Sequence, residues 1–503
     1  MKPVAPATFD RRQVLVIGAG VGGLACALRL QAAGMQVTVL ERHATPGGKM
    51  RTLPSAAGPV DAGPTVLTLR PVFEDLFAAC GTRLSDHVTL IRQEVLARHF
   101  WTDGSTLDLY ADPRRSALAV QDLCGKGARA EFERFWTETE RLFDTFDGPM
   151  IRAAEPSQLT LAAEVLRQPS LLRAMAPRAT LAQQLARRFS DPRLAQLFGR
   201  YATYVGGSPY EAPALLSLIW QAEARGVWYV AGGMHRLAEA MARLFTRLGG
   251  VLRTGCHVAG ITVTDGAVRG VTLADGTRMS APTVVFNGDP RALATGCLGP
   301  GVTRVARRTA KDARSLSAHV WSFAARTSGA PLKHHNVFFA ADPRSEFRDL
   351  ARGRMPAEPT LYVCAEDRGA EALPGGVERF EIILNAAPLT TARAIDPHEE
   401  AITCHRRTFR TLARFGLRFD PEPGPESLTT PEGFDHLFPA TAGSLYGQSP
   451  HGLTAGLRRP RARTEVRGLY LVGGGAHPGA GVPMATLSAR HAAEAISLDL
   501  ALT

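Results

Sequence analysis

No apolar run in this 503-residue chain approaches the roughly 20 residues that a membrane-spanning helix needs, so the sequence predicts no transmembrane segment. Paired cysteines are missing as well. The seven present, Cys26, Cys80, Cys124, Cys256, Cys297, Cys364 and Cys404, stand singly, with no CxxC and no spacing for a disulfide frame or a zinc site. No metal centre is expected, and the thiols read as small apolar side chains of the core. The opening MKPVAPATFDRRQV has no apolar centre of the kind a secretory signal carries, which points to an intracellular protein. Internal repeats and low-complexity linkers are absent. The net charge of +11 comes mainly from dispersed arginines, and no nucleic-acid module or aromatic–basic stripe accompanies it. Nucleic acid is therefore not an expected partner.

What is present is a 45% hydrophobic chain, long enough for two to four domains. Its first seventy residues are the most informative. A buried strand (VLVIG), a glycine turn, a helix of small residues (GLACALRLQAA) and a second strand (QVTVL) make a βαβ unit between Gln13 and Leu40. Gly18, Gly20 and Gly23 form GxGxxG, and Glu41 ends the second strand. Gly18 permits the tight turn, Gly20 admits a pyrophosphate to the backbone, and Gly23 lets the helix pack closely on the strand. Glu41 accepts from ribose hydroxyls and repels a 2′-phosphate, which favours FAD or NAD over NADP.

The other end of the chain, GLYLVGGGAHPGAGVPMATLSARHAAEAI from Gly468 to Ile496, reads as a strand, a glycine-rich crossing and a helix beginning near Pro483. A helix N-terminus there favours the negative charge that a reduced flavin develops. His477 in that turn reads as a positioning or packing residue. In the middle, GGMHRLAEAMARLFTRLGG predicts an amphipathic helix from Gly232, followed by strand-like VLRTG, hairpin turns at Asp265 and Asp275, and APTVVFNGD. A single GxGxxG leaves no second unit for a nicotinamide reductant. An oxidase or dehydrogenase is expected, with oxygen or a quinone as electron acceptor.

Several stretches carry a family resemblance: PGGKMRT after Glu41, DAGPTVL from Asp61, RYATYVGGSPYEAPALLSLI from Arg200, GVWYVAGGMH from Gly226, HHNVFF from His334, LYVCAEDR from Leu361, SLYGQSPHG from Ser444 and the HPGAG of the C-terminal motif. Together they make the chain resemble flavoprotein amine oxidases and, along nearly its full length, the bacterial phytoene-type carotenoid desaturases. The resemblance implies an α/β fold with a Rossmann-type FAD-binding domain and a discontinuous α+β substrate domain. Residues 10–74, 231–294 and 456–503 would form the first, and 75–230 and 295–455 the second. By the same resemblance Gly47, Gly48, Val258, Gly474, Gly475 and Met484 contact FAD. Lys49 stands where the family often has Arg, keeping the charge without the bidentate fork, and Arg51 is a candidate to share its work.

Within that family, SLYGQSPHG, LRRP and HPGAGVPMATLS are closer to the hydroxyneurosporene and methoxyneurosporene desaturases than to phytoene desaturases. The implied reaction is C-3,4 desaturation of an acyclic 1-hydroxycarotenoid, with phytoene desaturation as the alternative. A noncatalytic polyisoprenoid-binding flavoprotein and an amine-oxidase-like flavoenzyme are the readings from other classes. Positioning and water exclusion suffice for such chemistry, and no residue is singled out as catalytic acid or base. A substrate of this kind implies peripheral attachment to the inner face of a membrane. The arginine-bearing stretch Ser170–Phe189 is the candidate surface, set against a solvated helix over the core.

Overall fold

A five-stranded sheet and an eight-stranded sheet build the two main layers among the described residues. The computed structural model describes residues 10–370, 376–391 and 395–501. The opening residues 1–9, most of the segment read above for a secretory signal, lie outside the described residues.

The strands Gln13–Ile17 and Gln36–Leu40 pair in parallel, as the βαβ reading requires. Thr283–Phe286 joins the other side of Gln13–Ile17, followed by Leu469–Leu471, while Val251–Arg253 joins Gln36–Leu40. All five strands are parallel, and three distant stretches of chain supply them. Continuous Val, Leu and Ile runs suit strands covered on both faces. The helix Val21–Ala32 covers one face, buried at Leu24, Ala25, Cys26, Ala27, Leu28 and Leu30. The helix Val482–Ala501 lies in the same core through Ala489, Ala492, Ala493 and Ile496. Alanine on both surfaces is what allows the two helices to approach.

That core also takes in Phe73, Leu76, Phe77, Leu84 and Val88. The packing unit thus runs past the boundary expected at residue 74, because the helix Pro71–Ala79 lays its Phe73 and Phe77 against the first helix instead of leaving for the second unit. The expected amphipathic helix is His235–Arg247, stopped by Gly249 at φ +89. Asp61 seats its start: the carboxylate accepts from Met234 N–H at 2.5 Å and His235 N–H at 3.2 Å, and bonds His235 Nδ1 at 2.8 Å. Both DG turns close antiparallel pairs, between Val258–Thr264 and Ala267–Leu273 and between the latter and Arg278–Ser280.

The second layer is an eight-stranded mixed sheet running from Arg418–Asp420 through Ser317–Ser328, Glu378–Ala386, Leu361–Ala365, His335–Phe338 and Val95–Phe100 to Thr106–Tyr110, with Leu428–Thr429 on Ser317–Ser328. Helices from residues 113–224 cap it. Their aromatic core joins Phe132, Phe135, Phe198 and Trp220 to Val337 and Phe339 of the sheet.

Ser170–Phe189 takes the second of its two expected forms, a helical stretch over the core. It is broken at Ala176 (φ +42), and Leu171, Leu181 and Leu185 are fully buried. Most of its apolar side faces the protein; Leu172 is exposed, as are Leu159 and Leu166 of the preceding helix. No helix among the described residues is long and apolar enough to cross a membrane. The cysteines also depart from a uniform reading: Cys26, Cys364 and Cys404 are buried, but Cys297 is exposed.

Candidate functional site

The carboxyl ends of the parallel strands and the starts of the helices Val21–Ala32 and Val482–Ala501 open onto one cavity of about 760 Å³. Such crevices are where open α/β sheets bind ligands. Gly18, Gly20 and Gly22 line it at one helix start. Gly18 holds φ +95, and a side chain on Gly22 would stand 2.7 Å from Asn287 Oδ1 and 2.8 Å from Gly473. Gly23 does not face the cavity; a Cβ there would meet the Gly18 carbonyl at 2.0 Å, so its bareness brings helix onto strand. Gly47 N–H donates to the Ala19 carbonyl at 2.9 Å, and a Cβ on Gly48 would lie 3.0 Å from Gly20 Cα. The Pro-Gly-Gly turn is therefore seated directly on the fingerprint loop.

Glu41 is buried at the cavity edge. Its two carboxylate oxygens accept from Ala19 N–H at 2.7 Å and His43 N–H at 2.8 Å, which fixes the group and leaves lone pairs for hydroxyl donors. Val258 lines the same end with Cys256, His257, Phe286 and Leu298.

At the opposite terminus Gly473, Gly474, Gly475, Gly481, Val482, Pro483 and Ala485 form wall. Met484, expected at the flavin, is absent from that wall: the first turn of the helix presents its neighbours, and Met484 sits half-buried beside them. His477 is also outside the cavity. Its Nε2 bonds the Ala153 carbonyl at 2.8 Å and its ring stacks on His491; burial pushes it down to about 4, so it is a neutral tie between segments.

Lys49 lines the cavity and donates to the Leu445 carbonyl at 2.5 Å. Burial, only partly opposed by Asp289, pushes its ammonium down to about 8. Arg51 turns away, donating to Thr429 Oγ1 at 2.5 Å and lying over Phe434, and cannot share the work of Lys49 at the cavity. Two residues that sequence reasoning passed over matter more. Asn287 donates to the Gly18 carbonyl at 3.1 Å, and Arg459 donates to the Gly474 carbonyl at 2.7 Å and the Tyr446 carbonyl at 2.9 Å. Neither has a local signal, since each acts on backbone hundreds or tens of residues away.

Beyond the glycines the wall becomes apolar, with Val66, Ile219, Ala222, Val320, Val337 and Ile383. Tyr362 crosses it, its hydroxyl bonded to Thr65 Oγ1 and His335 Nδ1, both at 2.7 Å. His334, His335 and Cys364 bring ligand atoms within 4.8 Å of one another, a cluster the cysteine spacing did not anticipate. One nitrogen of each ring is already engaged, His334 Nδ1 by the Ala365 carbonyl and His335 Nδ1 by Tyr362. The cluster stands as the hydrogen-bonded backing of Tyr362.

A strand-bound carboxylate for a ribose, bare backbone where a Cβ would fill the space, and two helix N-termini facing one cavity define a dinucleotide-dependent oxidoreductase and fit FAD. The model of the family described as flavin containing amine oxidoreductase matches residues 21–379, and the chain belongs to that family. Its cofactor is FAD. The chain is 57% identical to the hydroxyneurosporene desaturase of Cereibacter sphaeroides, covering 97% of this chain and 98% of that one, and 44% identical to that of Rubrivivax gelatinosus, covering 97% and 94%. Among solved structures, cyclohexylamine oxidase from Brevibacterium oxydans superposes with a TM-score of 0.58 at 16% identity, over 97% of this chain and 99% of that one.

Two outcomes follow from the geometry. Gly22→Ala, at a position the fingerprint leaves open, forces backbone apart at Gly473; a loss of about 1–3 kcal/mol is expected, with FAD no longer retained through gel filtration. Wild-type FAD affinity falls as pH rises through about 8, where Lys49 loses its charge. In Lys49→Gln the affinity is already weak at pH 7 and flat to pH 9, read by flavin fluorescence titration.

Proposed function

We propose that this chain is an FAD-dependent carotenoid desaturase that inserts the C-3,4 double bond of an acyclic 1-hydroxycarotenoid. The observation that carries the reading is a single cavity whose wall passes from a dinucleotide cradle into an apolar channel. Relatives named hydroxyneurosporene desaturase, aligned over nearly the whole chain, support the substrate class. Residues from the first, middle and last segments would act as the FAD-binding unit, and the two intervening blocks as the substrate unit.

FAD, when bound, supplies the hydride acceptor. The fingerprint glycines and the Val21–Ala32 helix start hold the diphosphate, Glu41 the ribose, and Val258 the adenine side. Lys49 and the Val482–Ala501 helix start place positive potential beside the redox-active ring. Val66, Ile219, Val337 and Ile383 keep water from the reacting carbons and hold the polyene straight. Hydride loss from a saturated carbon beside a polyene leaves a delocalised cation, whose neighbouring proton departs without a strong base. No acid or base is assigned, and His477 is engaged elsewhere.

A polyene this apolar resides in lipid. The docking surface on this reading is the exposed set Leu159, Leu166 and Leu172, at 83%, 79% and 52% exposure, with Arg173 and Arg178 exposed beside it. A helical surface with leucines outward and arginines around them suits the inner face of a membrane. Oxygen or a quinone takes the electrons.

Anaerobic addition of 1-hydroxyneurosporene in liposomes is expected to bleach the flavin absorbance and yield a product lighter by two hydrogens. Bleaching with phytoene alone would move the reaction earlier in carotenoid synthesis. FAD binding without bleaching by either would leave a polyisoprenoid-binding flavoprotein. In flotation assays, Leu159→Glu/Leu166→Glu should lose most liposome binding while keeping FAD; unchanged flotation would rule out this face.

A further inference from the structure

The apolar part of the cavity contains a polar group with two buried donor atoms that lack a hydrogen-bond partner, Arg200. Arg200, at the start of the 3-10 segment Arg200–Val205, lines the cavity next to Thr203, Tyr204, Ala222 and Glu223. Its guanidinium lies over the rings of Tyr201 and Tyr204, 5.2 and 4.9 Å from their centroids. Nε and Nη2 are buried without a hydrogen-bond partner. Glu223, the carboxylate on this wall, is occupied by two phenols: Tyr201 O–H donates to it at 2.6 Å and Tyr204 O–H at 2.5 Å. Burial works against the charge of Arg200, but the oxygens of Tyr204, Tyr201 and Glu223 outweigh it and raise its pKa, so the cation persists at any working pH.

An arginine with idle donors in an apolar channel is costly to the free protein. Surrounding aromatic faces replace part of its hydration, and Glu223 balances its charge. The pair is thus neutral overall, and a carboxylate ligand would bring an uncompensated charge next to Glu223. What suits it is a neutral group that accepts a hydrogen bond and donates one. Resting on the desaturase reading above, we propose that Arg200 and Glu223 form the subsite for the terminal tertiary hydroxyl of the substrate. An Arg200 N–H donates to the hydroxyl oxygen, and the hydroxyl proton points to Glu223. The subsite sets which chain end enters and selects oxygenated carotenoids over hydrocarbons. An ether at the same position keeps only the acceptor half and binds less tightly than the alcohol.

The test compares 1-hydroxyneurosporene, its methyl ether and unsubstituted neurosporene in liposomes, with rates of anaerobic flavin bleaching against substrate concentration giving the limiting rate of reduction and the apparent Kd of each. For Arg200→Met, the apparent Kd for the alcohol is expected to rise roughly 10–100-fold, the worth of a hydrogen bond to a charged group. Little change is expected for neurosporene, so the preference for the alcohol collapses. Arg200→Lys recovers part of it, and Glu223→Gln removes the distinction between alcohol and ether. Should Arg200→Met fail to hold FAD, Arg200→Lys and Glu223→Gln decide in its place. An unchanged alcohol-to-hydrocarbon ratio in variants that hold FAD overturns the subsite while leaving the desaturase reading intact. A wild-type protein that binds FAD and bleaches with none of the three substrates overturns both.

Discussion

Everything in the site depends on two stretches of backbone, 451 residues apart in the chain, coming within contact distance at Gly22 and Gly473. A methyl group on Gly22 would stand 2.8 Å from the backbone of Gly473, so the approach depends on Gly22 being bare, and a side chain on Gly473 would meet Asn287 Oδ1 at 2.7 Å. Asn287 occupies the junction, with its amide on the Gly18 carbonyl and its own N–H on the Ile17 carbonyl at 2.9 Å. It extends from the end of the strand Thr283–Phe286, which lies between the first and last strands of the parallel sheet. Sheet order and glycine placement are two expressions of one requirement. The N-terminal fingerprint and the C-terminal motif must share a wall.

That closeness has an electrostatic consequence. Two helices start at the same cavity with unpaired backbone N–H groups, and Lys49 and Arg459 lie beside them. Their positive character is held by structure instead of by solvent. Lys49 is pushed down toward neutrality by burial, and Arg459 is pushed down to about 10 by burial as well, Asp289 opposing in each case. The fold thus stores positive potential whose natural complement is an anionic diphosphate and a ring that gains electrons.

How much of this the chain discloses before folding depends on the range of each interaction. The fingerprint was legible because strand, turn and helix are contiguous, and Gly23 answers to the Gly18 carbonyl within the same turn, even though Gly18 and Gly20 stand nearest to Asn287. Glu41 was legible for the same reason. The places of Arg51 and Met484 were not legible because neighbours in sequence point different ways: Lys49 faces the cavity, whereas Arg51 reaches Thr429. Val482, Pro483 and Ala485 meet it without Met484. The Ser170–Phe189 stretch was ambiguous because amphipathicity does not say which apolar partner is met, and here Leu181 and Leu185 meet the aromatic core of the helical cap. Asn287, Arg459 and Arg200 stand inside the stretches APTVVFNGD, LRRP and RYATYVGGSPYEAPALLSLI, but those patterns do not give their roles, which depend on the Gly18 carbonyl, the Gly474 carbonyl and the cavity.

The substrate side follows a different logic from the cofactor side. Near the glycines, specificity comes from backbone, which recognises a diphosphate common to many proteins of this fold. The apolar wall can recognise length and shape but has little means of telling one polyene from another, since a methylene more or less in such a channel is worth only about 1–3 kcal/mol. Discrimination between closely related hydrocarbons and their oxygenated forms needs a polar group that is left unsatisfied by the wrong ligand. Arg200, enclosed by Tyr201 and Tyr204 and balanced by Glu223, is such a group: mispairing it costs more than any apolar mismatch. Its placement in an otherwise apolar channel makes sense as selectivity. A channel built only for affinity toward a hydrocarbon would have filled the position with another leucine.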